Sequence, residues 1–367
     1  MKGISQETNR HGTVQVSGSP IHVVLALALI ASAWSGSTWS QEPGSRTIPA
    51  RVLPVPDTVS PVLQKRFQQA PSPAPAIPRT AEEWKAVAAT PPIVSQLLVG
   101  LRDKIGATVV PEIVGGVQCY LITPKVVSPK NKNRLILSLH AGGFVFGEGE
   151  NGTGVLESIV IAGFTGYKVN DIDYRMLPEY PFPAAMDDLM AVWKRMIKTN
   201  KAANIGVFGT SAGGSMALSL VQRAKKEGLP QPGAIVSGSP WSDMSKTGDT
   251  YYTNDGIDSM AANGDFWDAV VKLYANGRDL KDPLISPVYG DFGGFPPTFL
   301  VSGTRDLFLS NTVRVQEKLL QAGVPTELVV EEAQPHTGFL IAAVLGAPEG
   351  VHLYSYVARF FDAHLGH

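Results

Sequence analysis

The sequence predicts an α/β chain: a mostly parallel central sheet with helices on both faces and a helical cap. Two observations carry this reading. From about Thr108, short apolar segments alternate with helical patterns, the arrangement that covers a parallel sheet on both faces. Before that point helical patterns follow one another with no strand between them, so they belong to a cap rather than to the sheet. The chain has 367 residues, 44% of them hydrophobic and 17% charged, with a formal net charge of −1. That length suits one large domain with appendages. The near-zero charge gives no electrostatic reason to expect nucleic acid or an anionic membrane as partner.

Residues 1–40 read as an export signal, sending the protein to a bacterial periplasm or out of the cell. Lys2 and Arg10 precede an apolar run over 23–30, and small residues from Ala31 onward offer cleavage after Ala33, Ser37 or Ser40. The apolar run is too short for a stable membrane span. Residues 41–107 comprise a proline-rich arm (42–79) and cap helices. Proline excludes a long helix from the arm. Thr80-Ala81-Glu82-Glu83 is a capping box, in which the hydroxyl and Glu83 satisfy open amides of the first turn. Pro91-Pro92 end that helix, and 93–104 supports a second with Ile93, Leu97, Leu98 and Leu101 on one side.

Residues 108–367 form the catalytic unit. Strands are expected over 134–139 (RLILSL), 167–173, 205–208 (IGVF), 234–237, 298–301 and 326–331. Helical patterns occupy 184–198, 211–227 and 312–322 between them. Crossovers in such a sheet are right-handed, and sites gather at the carboxyl ends of its strands. The stretch of about 245–290 has no clear strand and reads as a cap insertion, with Trp267 and Tyr274 on a helical pattern.

The chemistry is expected to centre on Gly209-Thr210-Ser211-Ala212-Gly213-Gly214, directly after the strand IGVF and opening a helix. A serine at a sharp strand-to-helix turn has strained backbone, so its neighbours two away must be small. The turn lifts the hydroxyl to the sheet edge, and the helix start favours developing negative charge. A second loop, His140-Ala141-Gly142-Gly143-Phe144, ends an earlier strand. Acyl transfer builds an oxyanion that must meet preorganised N–H groups, and Gly142 and Gly143 let the main chain approach, with Ala212 N–H as third donor. His140 starts that loop and is assigned a structural role. The base is expected at His336, in a loop after the last strand, rather than at His352, His364 or His367 in or after the C-terminal helical run. An acid must orient the imidazole. Asp306, at the end of the strand TFLVSG, takes this part, with Asp291 and Glu332 as alternatives. The chain order Ser211, Asp306, His336 is that of α/β-hydrolases. A neutral imidazole base predicts activity falling below about pH 6 to 6.5.

Four blocks carry a resemblance to the bacterial hormone-sensitive-lipase-like carboxylesterases: HAGGF, GTSAGG, the run from Asp173 through Tyr174-Arg175 to Ala185, and Ser239-Pro240-Trp241-Ser242-Asp243. It covers roughly 135–339, and Thr210 matches the GTSAG branch. The resemblance implies an α/β-hydrolase fold with a helical cap, no cofactor, and small-molecule esters with modest acyl groups as substrates; relatives often pair, so a homodimer fits it. The layout of a long arm feeding a cap is similar to secreted esterases acting on bulky xenobiotic esters, sulfonylurea herbicides among them. Three departures stand out. Ala141 replaces the first glycine of the usual loop, Thr337 intervenes between His336 and Gly338, and Asp306 is followed by Leu-Phe-Leu-Ser. Phe144, Trp241 and Phe339 are candidates to line the substrate pocket, each equally able to serve as core. With one cysteine, Cys119, no intramolecular disulfide exists, and a buried place in a strand is expected for it. No metal is expected, because no His/Cys/carboxylate spacing suits one. A lactonase or amidase would use the same machinery, and a non-catalytic binder on this scaffold is the reading from a different class.

Overall fold

The computed structural model describes residues 45–69, 76–89 and 92–366, with the side chains of 92–95 excepted. The expected export signal lies outside these residues, as does 70–75 of the proline-rich arm. Residues 45–54 are irregular and exposed, a unit apart from the rest.

Among the described residues three helices precede the sheet, Pro61–Phe67, Ala81–Ala88 and Pro92–Ile105. At the second, Thr80 Oγ1 accepts the Glu83 amide at 3.2 Å. The reciprocal half of the capping box is displaced by one residue, because the Glu83 carboxylate takes the Arg79 amide at 2.5 Å.

Eight strands form one sheet: β1 (Thr108–Val114), β2 (Val117–Thr123), β3 (Leu135–Leu139), β4 (Lys168–Ile172), β5 (Ile205–Thr210), β6 (Ala234–Gly238), β7 (Thr298–Gly303) and β8 (Thr326–Glu331). The order is β1-β2-β4-β3-β5-β6-β7-β8. The β1/β2 and β2/β4 pairs are antiparallel and all the others parallel. Alternate side chains along the inner strands enter two cores. Leu137, Leu139, Val207, Ile235 and Leu300 meet Leu189, Met216 and Val315, which come from the helices Ala184–Met196, Ala212–Lys226 and Leu309–Gln321. Ile136, Phe208, Val236, Phe299 and Val301 meet Ile159, Val357 and Phe361, from Thr153–Thr165 and Pro348–His364. Each such aliphatic or aromatic side chain contributes about 1.5–3 kcal/mol when fully buried. With both faces apolar, these strands read as continuous hydrophobic runs rather than alternating ones.

Between β6 and β7 lies the insertion, which among the described residues holds the helices Thr250–Thr253 and Asp265–Ala275 and no strand over 245–290. Phe266 on its longer helix packs against Trp84 of Ala81–Ala88, ring centroids 5.7 Å apart. The insertion and an N-terminal helix therefore meet, and together they lie against the face where β3, β5, β7 and β8 end. No helix among the described residues is long and apolar enough to cross a membrane.

Candidate active site

Ser211 sits between β5 and the helix Ala212–Lys226 with φ 57° and ψ −116°, a conformation that a residue with a side chain adopts only when its surroundings impose it. They do so through the main chain. The Ser211 amide donates to Gly238 O at 2.9 Å, and its carbonyl accepts from Trp241 and Ser215, both at 3.0 Å. The flanking glycines are steric necessities. A Cβ on Gly209 would lie 2.2 Å from Gly213 O, and one on Gly213 would lie 1.8 Å from Leu139 O.

His336 Nε2 stands 2.8 Å from Ser211 Oγ, and its Nδ1 stands 3.2 Å from Asp306 Oδ1. Asp306 is buried and also accepts from Ser302 Oγ at 2.7 Å and the Phe308 amide at 2.8 Å. Burial works against its ionisation, yet His336 and these donors outweigh it and hold the carboxyl below its ordinary range. Asn254 Nδ2 donates to the Asp306 carbonyl at 2.9 Å. The alternatives for the acid lie elsewhere. The Asp291 side chain is 82% exposed beside Lys225, and Glu332 is exposed, with Thr58 as its neighbour.

Two of the sequence departures are absorbed locally. The additional Thr337 takes a left-handed conformation, φ 56°, just before the helix Gly338–Val344, and its amide donates to Ser239 Oγ at 3.3 Å. The residues after Asp306 supply the Phe308 amide and a ring packed edge-on to His336 at 4.6 Å.

The loop after β3 turns back on itself, with φ of 128° at Gly142, 61° at Gly143 and 65° at Phe144. A Cβ on Gly142 would lie 2.0 Å from Phe146 O. Ala141 is not among the residues of positive φ, so its methyl introduces no strain. Its amide donates to Glu157 Oε2 at 3.1 Å. The Gly142 and Gly143 amides have no protein acceptor among the described residues, and Ala212 opens its helix, where an amide has no intrahelical partner. Behind the loop, buried His140 stacks on Tyr174 at 4.2 Å, and Tyr174 Oη donates to the His140 carbonyl at 2.9 Å. Burial lowers the His140 pKa to about 4, which keeps it neutral in its structural place. Burial also pushes the Glu157 carboxyl up to about 7, against the pull of its hydrogen bonds.

Ser211, His336 and the loop open onto a cavity of about 500 Å³. Leu97, Phe146, Leu156, Trp241, Met260, Trp267, Phe308, Leu340, Ile341 and Val344 line it, and among the described residues no Lys, Arg, Asp or Glu does. Of the three pocket candidates, Trp241 is there. Phe144 instead stacks on Tyr274 at 3.7 Å in the core, because its positive φ turns it away from the cavity. Phe339 belongs to the core on the other face of the sheet, under Gly238. Sequence reasoning missed Phe308 as a lining residue, and it gave no place to Asp258, whose carboxylate accepts the His336 amide at 3.0 Å; a lone acid in an insertion has no motif around it. Among the described residues no cluster of His, Cys, Asp or Glu could hold a metal ion, and Cys119 is buried in β2.

A family model described as the alpha/beta hydrolase fold matches residues 136–340. The crystal structure of an esterase is 41% identical and superposes with a TM-score of 0.83, over 88% of this chain and 99% of that one. That of an esterase from the bacterial hormone-sensitive lipase family is 26% identical with a TM-score of 0.66, over 76% and 100% of the two chains. An acetyl-hydrolase of Streptomyces hygroscopicus is 28% identical over 205 residues, 55% of this chain and 68% of its own length. An esterase of Acinetobacter venetianus is 26% identical over 201 residues, 54% of this chain and 66% of its own.

Proposed function

This chain belongs to the α/β-hydrolase fold family, and on that premise we propose that it is a serine carboxylesterase of the hormone-sensitive-lipase-like group, forming its acyl-enzyme on Ser211. The observation that carries the reading is the unbroken line Asp306–His336–Ser211 ending in an uncharged cavity. His336 Nε2 takes the Ser211 proton as Oγ attacks the ester carbonyl, and Asp306 holds the imidazole and stabilises its cation. The amides of Gly142, Gly143 and Ala212 receive the negative charge that forms on the carbonyl oxygen. His336 then protonates the leaving alcohol, and water repeats the sequence on the acyl-enzyme.

The lining favours neutral esters with apolar groups on at least one side of the scissile bond, since a charged group would lose its hydration without finding a partner. The large aromatic walls and the cavity volume support bulky esters, herbicide methyl esters among them. The likeness to the Streptomyces acetyl-hydrolase supports acetyl esters as a small-acyl limit. Assaying p-nitrophenyl acetate and butyrate with wild type and Ser211→Ala tests the reading. Turnover abolished by the substitution is expected, and turnover left unchanged overturns it. Lactones and anilides run alongside measure how far the chemistry extends beyond open-chain esters.

A further inference from the structure

The insertion contributes more than walls to the cavity. Asp258, within it, is 8% exposed, and its carboxylate accepts four backbone amides. Oδ1 takes Met260 at 2.8 Å and Ala261 at 3.1 Å. Oδ2 takes Leu307 at 2.8 Å and His336 at 3.0 Å. Met260 and Ala261 line the cavity, Leu307 directly follows Asp306, and the fourth amide is that of His336 itself. One side chain thus joins the pocket wall, the acid loop and the histidine loop, three segments with no sheet hydrogen bonds of their own to fix them.

We propose that Asp258 is a positioning residue of the esterase: it sets the His336 and Asp306 loops in register with the pocket wall. An ionised carboxylate with four N–H donors is the strongest acceptor the chain can place there. Its charge also matters. Burial raises the Asp258 pKa, and the nearby His336 pulls it back down, against the repulsion of Asp306. No step of acyl transfer passes through Asp258; it acts through the residues it holds.

The inference rests on the esterase reading, so wild-type turnover of p-nitrophenyl butyrate, abolished in Ser211→Ala, is established first. Asp258→Asn then removes the charge and sets an NH2 group against two of the amides. The expected result is a fall in kcat of about 10- to 100-fold, the size that a small displacement of catalytic groups produces, with KM within about threefold. Asp258→Glu keeps the charge and shifts the oxygens by one methylene. It lowers kcat with KM within about threefold of wild type, and it decides the matter should the asparagine variant fail to fold. Wild-type kcat in either folded variant overturns the proposal. So does a fall in kcat matched by a comparable rise in KM, which is the signature of a pocket that has merely come apart.

Discussion

Gly142→Ala isolates the loop proposed to bind the oxyanion from the other groups of the site. Two quantities set its effect. The added Cβ would lie 2.0 Å from Phe146 O, and the residue holds φ 128°, a backbone region that costs a residue with a side chain about 1–3 kcal/mol. Backbone atoms cannot yield as a flexible side chain would, so the loop must shift, and the Gly142 amide shifts with it. Loss of one oxyanion donor lowers kcat by about 10²–10³, or about 2.7–4 kcal/mol of transition-state stabilisation. The amide meets charge that exists only in the transition state, so KM stays within about threefold of wild type. Initial rates with p-nitrophenyl butyrate, beside thermal melts showing that the variant is folded, make the measurement. Ala141→Gly is the control: it removes no N–H and no strain, and kcat stays within about twofold. A folded Gly142→Ala enzyme with wild-type kcat would refute the assignment of this loop.

Two further outcomes follow from the same geometry. Glu157 keeps its proton in the folded chain up to about pH 7, whereas unfolded it ionises at about 4.3. The folded state thus binds more protons between those values, and stability falls as pH rises through that window. Glu157→Gln removes this loss, so melting curves should show the variant gaining on wild type at pH 8 relative to pH 4.5; equal differences at both pH values would count against a buried, protonated Glu157. Trp241 lines the cavity while Phe144 is core. Trp241→Ala is therefore expected to change the acyl-chain-length profile from C2 to C16, and Phe144→Leu to leave it unaltered while costing about 1–2 kcal/mol of stability. An altered profile in Phe144→Leu with none in Trp241→Ala would reverse the two assignments.

The inner strands and the strained turn at Ser211 were legible because their physics is local. IGVF is apolar on both faces, and Gly209 and Gly213 flank Ser211 at the one spacing that a strained elbow tolerates. His336 and Asp306 were legible by chain order, each at the end of a recognisable strand. The first strand was not. β1 is TVVPEIV, half exposed along its length, so it has neither the apolar run of an inner strand nor a clean alternation. The pocket was legible only in part, since a positive φ at Phe144 redirects a ring that sequence proximity puts beside the loop. Asp258 was invisible for a different reason: its partners are backbone amides of residues 2 to 78 positions away, and amides carry no sequence signature.

The central claim is that Ser211 Oγ is the attacking atom. An organophosphate ester such as diethyl p-nitrophenyl phosphate phosphorylates an activated serine and stays attached, so peptide mass mapping of the inactivated enzyme reads the nucleophile directly. A single diethylphosphoryl adduct on Ser211, formed in step with loss of p-nitrophenyl butyrate turnover and absent from His336→Gln, is the predicted result. Inactivation with the adduct on another residue, or full modification of Ser211 with turnover intact, would contradict it.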